Sequence, residues 1–368
     1  MMKYRFLGNT GMRVSEICMG CMTFEPEYTS KIKDEKTAFA ILDYYADQGG
    51  NFFDMADNYP GVEELFGRWL KGRSDRDQFV IASKVRFPAG KEGPNDVGLT
   101  RKHLMDSIDK TLKKTGAEYI DLYQMHCYDE ITPIEETLRA FDDLVTSGKI
   151  RYAGASNFSG WHIAKVSGAA RLNNYANIKS VQTQYSLLCR SPEWEIFPAA
   201  IDENISITSW SPLAAGWLSG KYSKDTLPPP DSRMSRFIKN KADWDEINKT
   251  GLSTQIPHPT QIAEQEEIEK KQTQSDIEKR WQVINAVSEV AANHQGATCS
   301  QVALSWLLAQ KGLDSLVVGV SSTAQMEENL KAMSLELASE ELDWLDAVSH
   351  PGRPYPLDFF DKYGTFRR

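Results

Sequence analysis

The sequence predicts an α/β chain folded as a (β/α)8 barrel of the TIM type, on three observations. Eight short apolar runs of β type recur along the chain, mostly separated by segments of helical period. Alternation of that kind gives parallel strands with helices outside, and eight such units close a barrel. A doubly wound open sheet is the competing architecture, but a dinucleotide-binding one normally carries G-x-G-x-x-G after its first strand, and that motif does not occur here.

The elements follow in order. Residues 4–18 read as an N-terminal β-hairpin turning at Gly8-Asn9-Thr10-Gly11. A run at 17–22 precedes a helix over 36–48, and a run at 52–55 precedes a helix over 62–70. The run at 79–85 leads to a helix capped by Thr100, and the run at 120–125 to one opened by Thr132-Pro133, a cap with proline at the first helical position. Runs at 150–155 and 180–185 lead to helices starting near Ser159 and Pro192, and runs at 206–210 and 315–320 complete the set. Extra C-terminal helices are expected over 281–293, over 300–310 with Ser300 as cap, and over 339–348, where Ser339-Glu340-Glu341-Leu342 reads as a capped start. The whole of 1–368 reads as one domain, interrupted by a polar insertion at about 244–280 whose stretch 261–272 suits a solvated helix or a disordered surface segment.

Composition narrows the class. A chain of 368 residues can bury a large core, and a net charge of −9 argues against a nucleic-acid partner. No apolar run is long enough to span a bilayer, and the polar start Met1-Met2-Lys3-Tyr4-Arg5 is no signal peptide, so no membrane partner is expected. Five scattered cysteines suit reduced thiols in the cytoplasm. Cys18-Met19-Gly20-Cys21 has a redox spacing, yet no helix start follows it and there is no second pair; core cysteines and no metal site are the expectation.

Three runs end in polar side chains. Asn51-Phe52-Phe53 delivers Asp54 and, shortly after, Tyr59; 79–83 delivers Lys84; 120–125 delivers His126. Singly, such residues are usually caps, solvated charges or structural histidines. Together at the C-terminal ends of neighbouring strands they point to a site, because those ends converge on the mouth of a barrel. Tyrosine, with a pKa of about 10, is a reluctant proton shuttle near neutrality. A neighbouring ammonium favours tyrosinate, and a carboxylate keeps that ammonium charged and placed. Lys84 paired with Asp54 would tune Tyr59, and His126 would orient a substrate oxygen, an arrangement suited to protonating a carbonyl oxygen as hydride reaches carbon.

The rest of the mouth looks built for a dinucleotide. Ser156-Asn157 and Gln184 end the fifth and sixth barrel strands. Trp210-Ser211-Pro212-Leu213 ends the seventh, with an indole suited to stacking on nicotinamide. The small-residue loop through Gly216, Trp217, Leu218, Gly220 and Lys221 follows, suited to a pyrophosphate, with Arg233 and Arg236 as phosphate partners. Gly319 and Ser321 lie where the eighth strand meets a helix, a usual phosphate position in barrels. Phe24, Phe87, Tyr128 and Trp217 are candidate apolar walls for a substrate, and Arg86 and Asn58 could meet polar groups on it.

Over nearly its whole length the chain resembles the aldo-keto reductases. Phe53 to Tyr59, Ala82-Ser83-Lys84 and Gln124-Met125-His126 are similar to that family's catalytic segments, and Gly154-Ala155-Ser156-Asn157-Phe158 and Trp210-Ser211-Pro212-Leu213 to its cofactor-binding strand ends. The segment Gln325-Met326-Glu327-Glu328-Asn329 is similar to the one holding adenine and ribose phosphate, which assigns Gln325, Glu328 and Asn329 to the cofactor. The long loop after the seventh strand and Pro354-Tyr355-Pro356 resemble the aryl-alcohol-dehydrogenase-like branch, whose relatives include potassium-channel β subunits. The resemblance implies NADP(H) across the mouth, hydride passing between nicotinamide C4 and a carbonyl, Tyr59 as general acid, Lys84 and Asp54 as its tuning pair, and His126 as orienter. Pro60 departs from the family's glycine, and Val320-Ser321-Ser322 replaces the usual cation for the 2′-phosphate, which leaves NAD(H) as a serious alternative.

The implied partner is a small carbonyl or alcohol; the oligomeric state is left open, a homo-oligomer included. Two other readings compete. One is a cofactor-binding regulatory subunit serving a partner protein, against which the complete Asp-Tyr-Lys-His set argues. The other, a short-chain dehydrogenase, rests on the Y-x-x-x-K spacing at Tyr175 to Lys179 and lacks that family's glycine-rich start.

Overall fold

Eight parallel strands close on themselves in a computed structural model, which describes residues 1–25, 32, 34–90, 93–230, 232, 234–238, 240–250 and 274–363. Two short strands, β1 (Tyr4–Phe6) and β2 (Arg13–Ser15), form the N-terminal hairpin. The barrel runs β3 (Ile17–Gly20), β4 (Phe52–Asp54), β5 (Val80–Val85), β6 (Ile120–Met125), β7 (Ile150–Ser156), β8 (Ile178–Gln184), β9 (Ser206–Trp210) and β10 (Leu313–Val318), and β10 pairs back onto β3. Between the strands stand α1 (Glu35–Asp47), α2 (Val62–Lys71), α3 (Arg101–Thr115), α4 (Ile134–Thr146), α5 (Gly160–Asn173) and α6 (Pro192–Asp202). After β9 come α7 (Lys241–Thr250), α8 (Gln274–Asn293) and α9 (Cys299–Leu308), and after β10 come α10 (Thr323–Leu330), α11 (Ser339–Ser349) and α12 (Leu357–Tyr363).

Alternation along each strand sorts side chains between two cores. Phe52, Val80, Ala82, Leu122 and Val317 pack inside the barrel with Cys18, and Leu7 and Val14 of the hairpin join them, so the hairpin plugs the end opposite the mouth. Arg5 ties the plug down, donating to the backbone carbonyls of Leu308 and Leu313 and to Glu16. Phe53, Ile81 and Tyr123, one residue out of step, face the helices. Cys18 and Cys21 are free and fully buried, and burial pushes both thiols up, away from the thiolate that redox chemistry or metal binding needs.

Three expected caps are corrected and one helix is added. Thr132 does not cap α4: Pro133 holds the cap position, and the Thr132 hydroxyl donates to Asp129 instead. Thr298, not Ser300, caps α9, with Gln301 returning the bond to the Thr298 amide in a capping box. At α11 the cap position is Ala338, and Glu341 accepts from the Ala338 amide. The short α12, absent from the sequence reading, follows a cis Tyr355–Pro356 bond. Of the expected insertion at 244–280, residues 251–273 lie outside the described residues. Its flanks are anchored: Trp244 and Ile277 are buried, and Trp244 stacks on Trp217 at 5.6 Å. Among the described residues no helix is long and apolar enough to cross a membrane.

Candidate active site

The same alternation aims Asp54, Lys84, Gln124 and Gln182 into the barrel above its apolar interior. Lys84 Nζ donates to Asp54 Oδ2 at 2.5 Å and to the Met55 carbonyl at 3.0 Å. The second carboxylate oxygen, Oδ1, accepts from Gln182 Nε2 at 2.8 Å and from Gln124 Nε2 at 3.3 Å. Both glutamines went unassigned in the sequence reading. Gly154 makes room for one of them, since a Cβ there would stand 2.9 Å from Gln124 Cγ.

This ion pair is almost completely buried. Burial pulls the Lys84 ammonium toward neutrality, but the Asp54 carboxylate and then Tyr59 outweigh it and hold its pKa above the ordinary value. The ammonium lies 5.3 Å from the centre of the half-buried Tyr59 ring. Tyr59 sits in a turn between β4 and α2, its amide bonded to the Ala56 carbonyl and its own carbonyl accepting from Val62. The left-handed residue of that turn is Gly61, at φ 73°, which lets Pro60 occupy the position before it.

His126 completes the set. Its ring meets Tyr59 edge-on at 6.0 Å between centroids and Phe87 at 5.0 Å. Burial lowers the His126 pKa well below the usual histidine value, and the charges of Lys84 and Arg86 lower it further. The imidazole is therefore neutral at physiological pH, with one N–H to donate. Asn157 braces the mouth from above: its Nδ2 donates to the His126 carbonyl at 3.0 Å and to Ser156 Oγ at 3.1 Å, and its Oδ1 accepts from Trp210 Nε1 at 3.0 Å.

The remaining expected residues fall into distinct groups. Ser156, Gln184, Pro212, Leu218 and Asn329 are buried, while Trp210, Ser211, Leu213, Gly216 and Ser321 are half-buried and Gly220, Lys221, Gly319 and Gln325 exposed. Ser211, Ala214, Ala215, Gly216 and Gly220 all take left-handed backbone conformations, a costly run for three non-glycine residues. The amides of Gly216 and Leu218 both donate to the Leu213 carbonyl, so neither is a spare donor for a phosphate. Lys221 does lie across this loop: a Cβ at Gly216 would come within 2.8 Å of its Nζ. Ser321 is tied to Gln325 Oε1 through both its amide and its hydroxyl, and Glu328 accepts from Thr298. Ser322 caps α10. Arg233 and the side chain of Arg236 lie outside the described residues.

Among the expected substrate walls, Phe87 borders His126 at the mouth, while the buried Tyr128 ring packs against Phe158, Trp161 and His162. Phe24 is buried in the core. Trp217 is corrected: it is fully buried in a cluster with Tyr222, Trp244 and Trp281, and supports the loop after β9 rather than facing a ligand. The Y-x-x-x-K spacing dissolves as well, because Tyr175 follows α5 and Lys179 lies in β8, where it donates to Asn9.

Comparison with known proteins agrees with this geometry. The profile of the Aldo/keto reductase family matches residues 16–350. An oxidoreductase of Bacillus subtilis, named as uncharacterized oxidoreductase YrpG, is 34% identical over 366 residues, which covers 96% of this chain and 98% of the relative. A probable voltage-gated potassium channel subunit beta of Arabidopsis thaliana is 31% identical over 363 residues, 96% and 99% of the two chains. Versiconal hemiacetal acetate reductase of Aspergillus parasiticus is 28% identical over 376 residues, again 96% and 99%. A closed eight-stranded barrel, a buried Asp–Lys pair beside a tyrosine and a histidine, and a match over most of the length lead to one conclusion: the chain is a member of the aldo/keto reductase family, and an oxidoreductase.

Proposed function

We propose that the protein interconverts aldehydes or ketones and the matching alcohols with NADP(H), Tyr59 being the general acid and base. The observation that carries this reading is the buried Lys84–Asp54 pair beside the Tyr59 ring, with a neutral His126 edge-on to the same ring. The ammonium favours tyrosinate over tyrosine and so makes the phenol a better acid. Asp54, held by two glutamines, fixes the lysine in place. The neutral imidazole donates to the carbonyl oxygen and aims it at the Tyr59 hydroxyl, which passes its proton to that oxygen as the carbon is reduced. In the opposite direction tyrosinate takes the alcohol proton.

The lining of the mouth suits a nicotinamide dinucleotide: the half-buried Trp210 indole offers a stacking face, the loop after β9 is left-handed with Lys221 across it, and α10 opens on a capped start. When bound, that cofactor would supply or accept the hydride at its C4. NAD(H) is a second reading with its own observation, since Ser321 is engaged by Gln325 and Val320-Ser321-Ser322 offers no cation to a 2′-phosphate. The chain also resembles a probable channel β subunit, and a cofactor-binding regulatory role is the reading that this relative favours.

One experiment separates them. Purified protein is titrated with NADPH and NADH by nicotinamide fluorescence, then mixed with a panel of aromatic, aliphatic and sugar carbonyls. Tighter NADPH binding with turnover is expected. Tight binding with no turnover on the whole panel, together with a stable partner in a pull-down, would overturn the enzymatic reading.

A further inference from the structure

We propose that Arg86 is a specificity-determining residue of this mouth, selecting carbonyl substrates that carry a carboxylate about one aromatic ring away from the reacting carbon; the inference rests on the carbonyl-reductase reading above. Arg86 stands just past the end of β5, two residues beyond Lys84. Its Nε donates to the Tyr128 carbonyl at 3.2 Å, which pins the base of the guanidinium to the loop after β6. The guanidinium carbon lies 5.0 Å from the centre of the Phe87 ring, and that ring meets His126 at 5.0 Å. Guanidinium, phenyl ring and imidazole therefore form a continuous wall. A substrate whose oxygen faces Tyr59 and His126 would lay its body along Phe87 and bring its far end to Arg86.

Charge bookkeeping at the mouth makes that far end anionic. Asp54 is neutralised by Lys84. Asp129, the carboxylate of the neighbouring loop, is turned inward on the amides of Leu99 and Ile131 and the hydroxyl of Thr132. Among the described residues no carboxylate pairs with Arg86. A second cation, Lys165, donates to the Tyr128 hydroxyl at 3.1 Å, so Tyr128 has a cation at its carbonyl and another at its hydroxyl, while Glu130 acts on the neighbouring His162 and Glu135 on Lys165. On a chain of net charge −9, an arginine without a carboxylate partner beside the reacting groups is a local exception. A half-buried guanidinium with its outer nitrogens uncommitted suits paired hydrogen bonds to a carboxylate, which lysine cannot reproduce.

The test compares kcat/KM for 4-carboxybenzaldehyde and benzaldehyde under one cofactor. Wild type is expected to favour the carboxylated aldehyde by about tenfold or more, the scale of one charge-assisted contact. The preference should shrink at high ionic strength. Arg86→Met should bring the ratio near one, Arg86→Glu should invert it, and Arg86→Lys should keep part of it, while Lys165→Met, altering an exposed cation that bonds the Tyr128 hydroxyl, should move it far less. Equal use of both aldehydes by wild type, or a ratio unmoved in Arg86→Glu, would overturn the inference and leave the reductase reading standing. Failure to turn over any carbonyl would remove both. The wild-type ratio and its salt dependence need no variant to fold.

Discussion

Asp54 uses both carboxylate oxygens on neighbours, one for the Lys84 ammonium and one for two glutamine amides. Removing one member of so buried a pair strands the other charge. Lys84→Met should therefore destabilise the protein by about 3–5 kcal/mol, and the double variant with Asp54→Leu should regain much of that loss, as read by urea denaturation. Gln182→Leu should cost about 1–3 kcal/mol by leaving Asp54 one donor short. That Asp54, Lys84 and His126 meet at one mouth was legible in the sequence because each polar residue ends an apolar run. Gln182 was not, since it lies inside a buried strand and its meaning depends on meeting a carboxylate 128 positions away.

Among the elements, the hairpin and the loop after β9 do different work. The hairpin inserts Leu7 and Val14 into the barrel end away from the mouth. Leu7→Ala should lower stability by about 2–5 kcal/mol while leaving cofactor affinity unchanged, which thermal melts and fluorescence titration would show. The loop after β9 rests on Trp217, whose ring is enclosed by Trp244 from α7 and Trp281 from α8. An aromatic residue just past a strand end reads as a pocket wall when the helices that cover it are far along the chain, which is why Trp217 was misread. Strands and helices were readable from periodicity. Their caps slipped where a nearby acceptor, such as Asp129 for Thr132, competed for the capping hydroxyl.

Over the whole molecule, the buried His126 links stability to pH. Its folded-state pKa lies well below the usual value because burial, then Lys84 and Arg86, disfavour the cation. The unfolded chain takes up a proton near pH 6.5 that the folded chain refuses, so the unfolded state binds more protons below that pH. Stability should be flat in this respect above about pH 6.5 and fall as the pH drops below it. His126→Gln should flatten that part of the curve, which chemical denaturation between pH 5 and 8 would reveal. The closed barrel was legible as a whole because eight strand–helix units admit few other parallel arrangements.

The most direct test is a single-turnover stopped-flow reaction of wild type and Tyr59→Phe, each preloaded with the reduced cofactor it binds more tightly and mixed with an accepted aldehyde. If Tyr59 is the proton donor tuned by Lys84, loss of reduced-nicotinamide absorbance should slow by roughly 10²–10⁴-fold in the variant while cofactor affinity stays the same. Equal rates in the two proteins would contradict that assignment and send the search for the acid elsewhere in the mouth.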